Sequence, residues 1–261
     1  MNSVNKTMYI PLYGKAYVSE KGLFLNDETA QKIWEKEGFT LRGKAKSRWL
    51  AYFMGIRSAV FDEWLRERLV EMPEAAVIHI GCGLDSRVLR LGTNKHSWYD
   101  VDFPEVISER RKFFTENERY KMISADVRSG DWIKKIADTG SAIVVMEGVS
   151  MYLTAEESEE LSENLCAGFQ NISFLADFYT VFAAKMSKHR NPVNEVGVSE
   201  VYGTDDPAIL EKDGLHFIKE LEMTPEKYID ELKGIEKHIF KKIYAGNFSK
   251  KLYRLYEYRK L

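Results

Sequence analysis

The sequence predicts an α/β fold in which a mainly parallel sheet is covered by helices on both faces, and three observations carry this. Short apolar runs at residues 76–81, 97–102, 120–124, 142–147 and 172–178 alternate with helix-like segments at 86–91, 104–116, 131–137 and 154–170. The first run, with Val77-Ile78-His79-Ile80, breaks into the glycine turn Gly81-Cys82-Gly83-Leu84-Asp85-Ser86-Arg87. The second run ends in Asp100 and Asp102, about twenty residues after that turn, as a nucleotide-binding strand–turn–helix requires.

The elements follow in order from the pattern. Residues 1–70 read as a helical cap. Between 47 and 70, Leu50, Phe53, Val60, Phe61 and Trp64 form an apolar stripe, and Arg57 falls in its middle, away from a charged face carrying Arg48, Asp62 and Arg66. A guanidinium in that place needs a partner, because an unpaired buried charge is very costly. It is either half of an internal ion pair, or snorkels to water, or is a cation aimed at a ligand carboxylate. His79, inside the first strand, reads as a satisfied core histidine.

Glycines at 81 and 83 let the chain reverse tightly and approach a ligand closely. The third glycine expected for a pyrophosphate is replaced by Ser86, and Asp85 puts a negative charge where a diphosphate would sit. This argues against NAD and for a nucleoside without phosphates, of which S-adenosylmethionine is the commonest. Asp100 or Asp102 can accept both ribose hydroxyls, and strand-end logic does not separate them. After the third strand, Asp126 can accept from an adenine amino group while a backbone N–H reaches a ring nitrogen. Asp131 reads as the cap of the next helix, Glu147 stands at the end of the fourth strand beside the glycine turn, and Thr154 with Glu157 forms a capping box. Residues 180–235 are less regular, and the chain closes on a strand near Leu252–Tyr258. The expected organisation is one domain: the cap, a cofactor-binding core at 71–178, and an irregular substrate-facing insertion with closing strands at 179–261.

Composition narrows the partners. The 261 residues can bury a substantial core, and 38 basic against 40 acidic residues, without a long run of one sign, favour neither nucleic acid nor a membrane surface. No apolar stretch reaches membrane-span length and no signal-peptide pattern is read at the start, so the expected compartment is the cytoplasm. Cys82 and Cys166 lie too far apart in sequence to suggest a disulfide framework or a metal site. The histidines form no metal cluster or triad, and hydrolase chemistry has no machinery here.

Five segments together resemble a known family: Ile10-Pro11-Leu12-Tyr13-Gly14-Lys15-Ala16, Arg57 through Asp62, Gly81 through Arg87, Asp100-Val101-Asp102-Phe103-Pro104, and Glu147-Gly148-Val149-Ser150-Met151-Tyr152-Leu153. This ordered set is similar to the leucine carboxyl methyltransferases and tetracenomycin-type polyketide O-methyltransferases, from Thr7 to about Asp206. The resemblance implies a Rossmann-like class I methyltransferase fold and S-adenosylmethionine as cofactor. It implies that Arg57 and Lys15 bind the methionine carboxylate, that Gly81, with Gly83 beside it, contacts the cofactor, and that Asp102, with Asp100 competing, holds the ribose. Asp126 and Val127 would address the adenine, and Glu147 would close the pocket.

The first-choice acceptor, again by resemblance, is a carboxylate of a small natural product or of a peptide or protein C-terminus, with Lys185, Lys188 and Arg190 as candidate clamps. A carboxylate with a reference pKa of about 4 is already ionised and needs no general base. The alternatives are phenolic O-methylation of a polyketide-like aromatic, and a cofactor-binding module without turnover. Ser150, where the family commonly has Leu, and the weak match after Phe178 bear on the acceptor. On this reading Arg57→Ala weakens cofactor binding by roughly 1.5–3 kcal/mol and perturbs folding less.

Overall fold

A computed structural model describes residues 6–41, 43–92, 95–137, 139–190 and 200–261, without the side chains of 188–190. Helices α1 (Tyr9–Glu20), α2 (Glu28–Glu37) and α3 (Arg48–Glu71) precede the first strand. The Asp27 carboxylate caps α2 by accepting from the Ala30 N–H, and Gly38 ends it in the left-handed conformation. Ser47 caps α3. From Ala51 to Asp62, α3 is buried on every side, because it is held between α1 and the sheet. Asp62, expected on a charged face, is therefore only 1% exposed. A helix covered all round has no solvent face to carry its charges.

Seven strands form one sheet: β1 (Ala76–Ile80), β2 (Trp98–Asp102), β3 (Tyr120–Ser124), β4 (Ser141–Met146), β5 (Asn171–Tyr179), β6 (His216–Glu220) and β7 (Tyr253–Lys260), in the order β3-β2-β1-β4-β5-β7-β6. The first five are parallel, and β7 runs antiparallel between β5 and β6. The central parallel strands β1 and β4 are apolar runs because helices cover both their faces. The unpredicted strand is β6. His216-Phe217-Ile218-Lys219-Glu220 is mostly exposed at the sheet edge and carries a bulge, so it lacks the apolar signal of its neighbours.

Helices α4 (Arg87–Leu91), α5 (Pro104–Arg110), α6 (Ala155–Gly168) and α7 (Val181–Arg190) complete the layers. The helix expected over 104–116 stops at Arg110 and continues only as turns, through a Phe113-Phe114-Thr115 run of weak helix formers. The segment expected as a helix at 131–137 is a 3-10 turn, Asp131–Lys135. Its cap is Gly130, not Asp131, whose carboxylate pairs with Lys134 at 2.9 Å. The Thr154–Glu157 capping box is formed in both directions. Between β1 and β4 the strand order reverses, which opens a crevice at the carboxyl ends of the strands.

Candidate active site

That crevice is a cavity of about 770 Å³, in the range that holds small molecules. The strand order sets out its walls in sequence. Asp126 and Val127 follow β3, Asp102 ends β2, Gly81 and Gly83 follow β1, Glu147 and Gly148 follow β4, and Tyr179 ends β5 beside Tyr253 at the start of β7.

The glycine turn needs its glycines. Gly81 and Gly83 have φ of +64° and +51°. The Gly83 N–H donates to Asp102 Oδ2 and the Phe103 N–H to Oδ1, both at 2.8 Å, which fixes a carboxylate at the cavity wall with lone pairs to spare. Burial pushes the Asp102 carboxyl up to about 6, against the pull of those two N–H groups and of Arg110.

Asp100 is not among the residues that line the cavity. It lies one pleat deeper on the same face of β2, fully buried and away from the cavity. Its oxygens accept from Trp98 Nε1 at 2.9 Å, Arg110 Nη2 at 2.5 Å and the Tyr120 hydroxyl at 2.7 Å. Burial opposes its ionisation, but Arg110 and His79 prevail and hold it at about 2. The structure thus corrects Asp100 from candidate ribose ligand to buried partner of Arg110.

Behind the turn lies a buried lattice of charges. Arg57 donates through Nε to Glu147 Oε1 at 3.0 Å and through Nη1 to Asp177 Oδ2 at 2.9 Å. Arg87 bonds the other Glu147 oxygen at 2.5 Å and Asp62 at 2.7 Å, and meets His79 Nε2 at 3.2 Å. Arg90 spans Asp27, Asp62 and Asp85, while Lys15 reaches Asp85 at 2.9 Å. Every one of these side chains is buried. Burial alone would raise Glu147, yet Arg57, Arg87 and Lys15 hold it at about 2. Arg90, Lys15 and Arg87 likewise overcome burial to keep Asp85 far below the usual carboxylate range.

Arg57 is accordingly an internal ion pair that also lines the cavity. Its Nη2 makes no hydrogen bond within the described residues and lies 3.3 Å from where a Cβ on Gly148 would stand. Glu147 lines the cavity too, but as the anchor of two guanidiniums. Asp177 was not singled out from the sequence. Its signal was the same as that of Arg57, one charge in an otherwise apolar stretch, Ile172 to Tyr179. It bonds Arg57 and takes the Gly148 N–H at 2.6 Å.

At the far end, Asp126 caps the turn Val127–Ser129 and is gripped by Arg128, whose hydrogen bond keeps its carboxyl below the usual range. Val127 lines the same cavity, and its N–H has no hydrogen-bond partner within the described residues. Lys185 is exposed and stands off the cavity, because α7 turns Ala183, Met186 and Ser187 toward it. This corrects Lys185 as an acceptor clamp. The side chains of Lys188 and Arg190 lie outside the described residues.

In strand order the cavity thus presents the Val127 backbone, the Asp102 carboxylate, the glycine turn and the Arg57 guanidinium at Gly148. Comparisons with known proteins identify the family and the fold. The tetracenomycin polyketide synthesis O-methyltransferase of Streptomyces glaucescens is 26% identical over 92% of this chain and 90% of its own length. A Gibberella zeae S-adenosyl-L-methionine-dependent methyltransferase is 24% identical over 81% of this chain and 78% of its own. The fold is shared with magnesium protoporphyrin IX methyltransferase of Synechocystis PCC 6803, solved with bound SAH, at a TM-score of 0.53 and 11% identity over 90% of this chain and 95% of that one. The leucine carboxyl methyltransferase family model matches residues 12–166, and the chain belongs to that family of S-adenosylmethionine-dependent methyltransferases.

Proposed function

We propose that the protein methylates a carboxylate oxygen, giving a methyl ester of a small natural product or of a peptide or protein C-terminus. The observation that supports this is that the described residues at the acceptor end offer no candidate general base. Within the described residues His79 is the one histidine lining the cavity, and Arg87 engages it. The phenols of Tyr152 and Tyr253 are pushed up by burial and stay protonated. A carboxylate needs no base, whereas a phenol with a pKa of about 10 does. The polyketide O-methyltransferase among the relatives favours a natural product. On this reading residues 1–261 act as one methyltransferase domain, with 1–70 as cap, 71–178 as cofactor core and 179–261 facing the acceptor.

When bound, the cofactor supplies an electrophilic methyl on a cationic sulfur. Asp102 would accept from the ribose hydroxyls, the Val127 N–H and Asp126 would address the purine edge, and Arg57 Nη2, with Lys15 in support, would take the amino-acid carboxylate. Glu147 and Asp177 hold Arg57 in place. Transfer to a carboxylate oxygen would exchange a C–S bond for an O–C bond with no proton to move, so these residues would act by alignment and by exclusion of water.

The product decides the acceptor class. An ester is released by mild base and an aryl ether is not, so the transferred methyl is expected to be lost on mild base treatment of the isolated product. A base-stable methyl would move the reading to phenolic methylation.

Asp102 gives a second expected result. Its pKa of about 6 lies above the ordinary carboxylate value, so the acceptor form is lost as pH falls through 6. Cofactor affinity measured by calorimetry should therefore weaken roughly tenfold between pH 8 and pH 5. Asp102→Asn should bind weakly and without that pH dependence. A flat profile in the unmodified protein would take Asp102 out of the ribose site.

A further inference from the structure

The glycine turn is held from behind by a residue outside the cavity. Arg110, the last residue of α5, is fully buried and is not part of the cavity lining. Its guanidinium joins three elements. Nη1 donates to the Gly83 carbonyl at 3.1 Å, Nη2 to Asp100 Oδ2 at 2.5 Å and Nε to the Tyr120 hydroxyl at 3.1 Å, while Cζ lies 3.9 Å from the Phe114 ring centroid. Gly83 is therefore bound on both sides: its N–H reaches Asp102 at the cavity wall, and its carbonyl is drawn back to Arg110. A planar fork of donors makes these three contacts at once, which the single ammonium of a lysine does not. Burial opposes the charge on Arg110, but Asp100 prevails and the guanidinium stays protonated.

Resting on the reading of Asp102 as the ribose acceptor, we propose that Arg110 is a positioning residue of the cofactor site, which holds the glycine turn by the Gly83 carbonyl and sets a fixed positive charge behind Asp102. Burial disfavours the Asp102 carboxylate. The Gly83 and Phe103 N–H groups and Arg110 favour it, and Asp100, on the same strand, opposes it. The other ionisable groups around the pair do not supply this charge. Burial pushes the Cys82 thiol and the Tyr120 phenol up and His79 down, so each favours its neutral form, and Asp126, after β3, is kept ionised by its hydrogen bond from Arg128. Arg110 is thus the cation that acts on Asp102 from outside the ligand cavity.

Calorimetric titration of the full chain with S-adenosylhomocysteine, from pH 5 to pH 8, tests this. In the unmodified protein affinity should fall with a midpoint near 6. Arg110→Gln should move that midpoint to higher pH by about half a pH unit or more, because removal of a neighbouring positive charge disfavours the carboxylate. At pH 8 it should also bind about threefold or more weakly, because the Gly83 turn is loosened. Asp100→Asn should move the midpoint to lower pH, since it removes the opposing negative charge and leaves the guanidinium. Both variants break the same buried ion pair, so a loss of structure alone would move both profiles the same way. If Arg110→Gln does not fold, Asp100→Asn decides: a downward shift supports the assignment and no shift overturns it. A midpoint still near 6 in Arg110→Gln, undiminished affinity at pH 8, or shifts of the same sign in both variants would overturn it while leaving Asp102 in the ribose site. A flat profile in the unmodified protein would overturn the ribose reading and this assignment with it.

Discussion

Arg57→Ala is expected to lower stability by roughly 3–5 kcal/mol, the cost of breaking a buried ion pair by removing one partner. The sequence alone suggested a smaller effect, on cofactor affinity first. The structure reverses the order. Glu147 and Asp177 are both buried, and each spends an oxygen on Arg57. Without the guanidinium Asp177 keeps only the Gly148 N–H on its other oxygen. Chemical denaturation should show the loss at neutral pH, and Arg57→Ala combined with Asp177→Asn should recover part of it by removing one stranded charge. A well-folded Arg57→Ala protein of unchanged stability, with cofactor binding alone impaired, would restore the sequence-based ranking.

Gly81→Ala is the second large effect. A Cβ at this position would lie 2.1 Å from Val149 Cγ2, and the backbone sits at φ +64°. The left-handed conformation costs an L residue about 1–2 kcal/mol, and forcing a methyl into packed space adds about 1–3 kcal/mol. Together they amount to roughly 2–5 kcal/mol, with distortion of the turn that cradles the ligand. Gly22 separates the two contributions, since it has the same φ of +64° and nothing within 4 Å of its Cβ position. Gly22→Ala should therefore show the conformational cost alone. Val149→Ala placed on Gly81→Ala removes the colliding methyl and should return part of the stability. Equal losses at Gly22 and Gly81 would mean that Val149 yields freely and that the turn does not need the missing side chain.

The core of the fold was legible because the parallel strands are short, mainly apolar runs that end in turns. β6 was not, since an exposed edge strand need not alternate. The site divides along a similar line. Gly81, Asp102 and Glu147 sit where strands end, and strand ends can be found by period and turn chemistry. The choice between Asp100 and Asp102 could not be made that way. Both share one face of β2, and what separates them is Arg110, which reaches Asp100 from α5. Asp62 and Asp177 were hidden for the same reason. A charge in an apolar stretch announces that it has a partner, but the partner is named only by tertiary packing.

The charge lattice bears on the order in which the chain assembles. Its bonds join positions far apart in sequence: 63 residues for Arg90 with Asp27, 70 for Lys15 with Asp85, 90 for Arg57 with Glu147, and 120 for Arg57 with Asp177. None of these four is a local contact that could reward an early nucleus. Each waits until the loop between its ends has been closed, and the entropy of that closure is spent before the bond forms. Arg57 keeps its water until β5 has joined the sheet, so dehydration of the lattice is a late event, shared by the N-terminal helices and the strands. The surface that will cradle the ligand is therefore among the last to become rigid on folding.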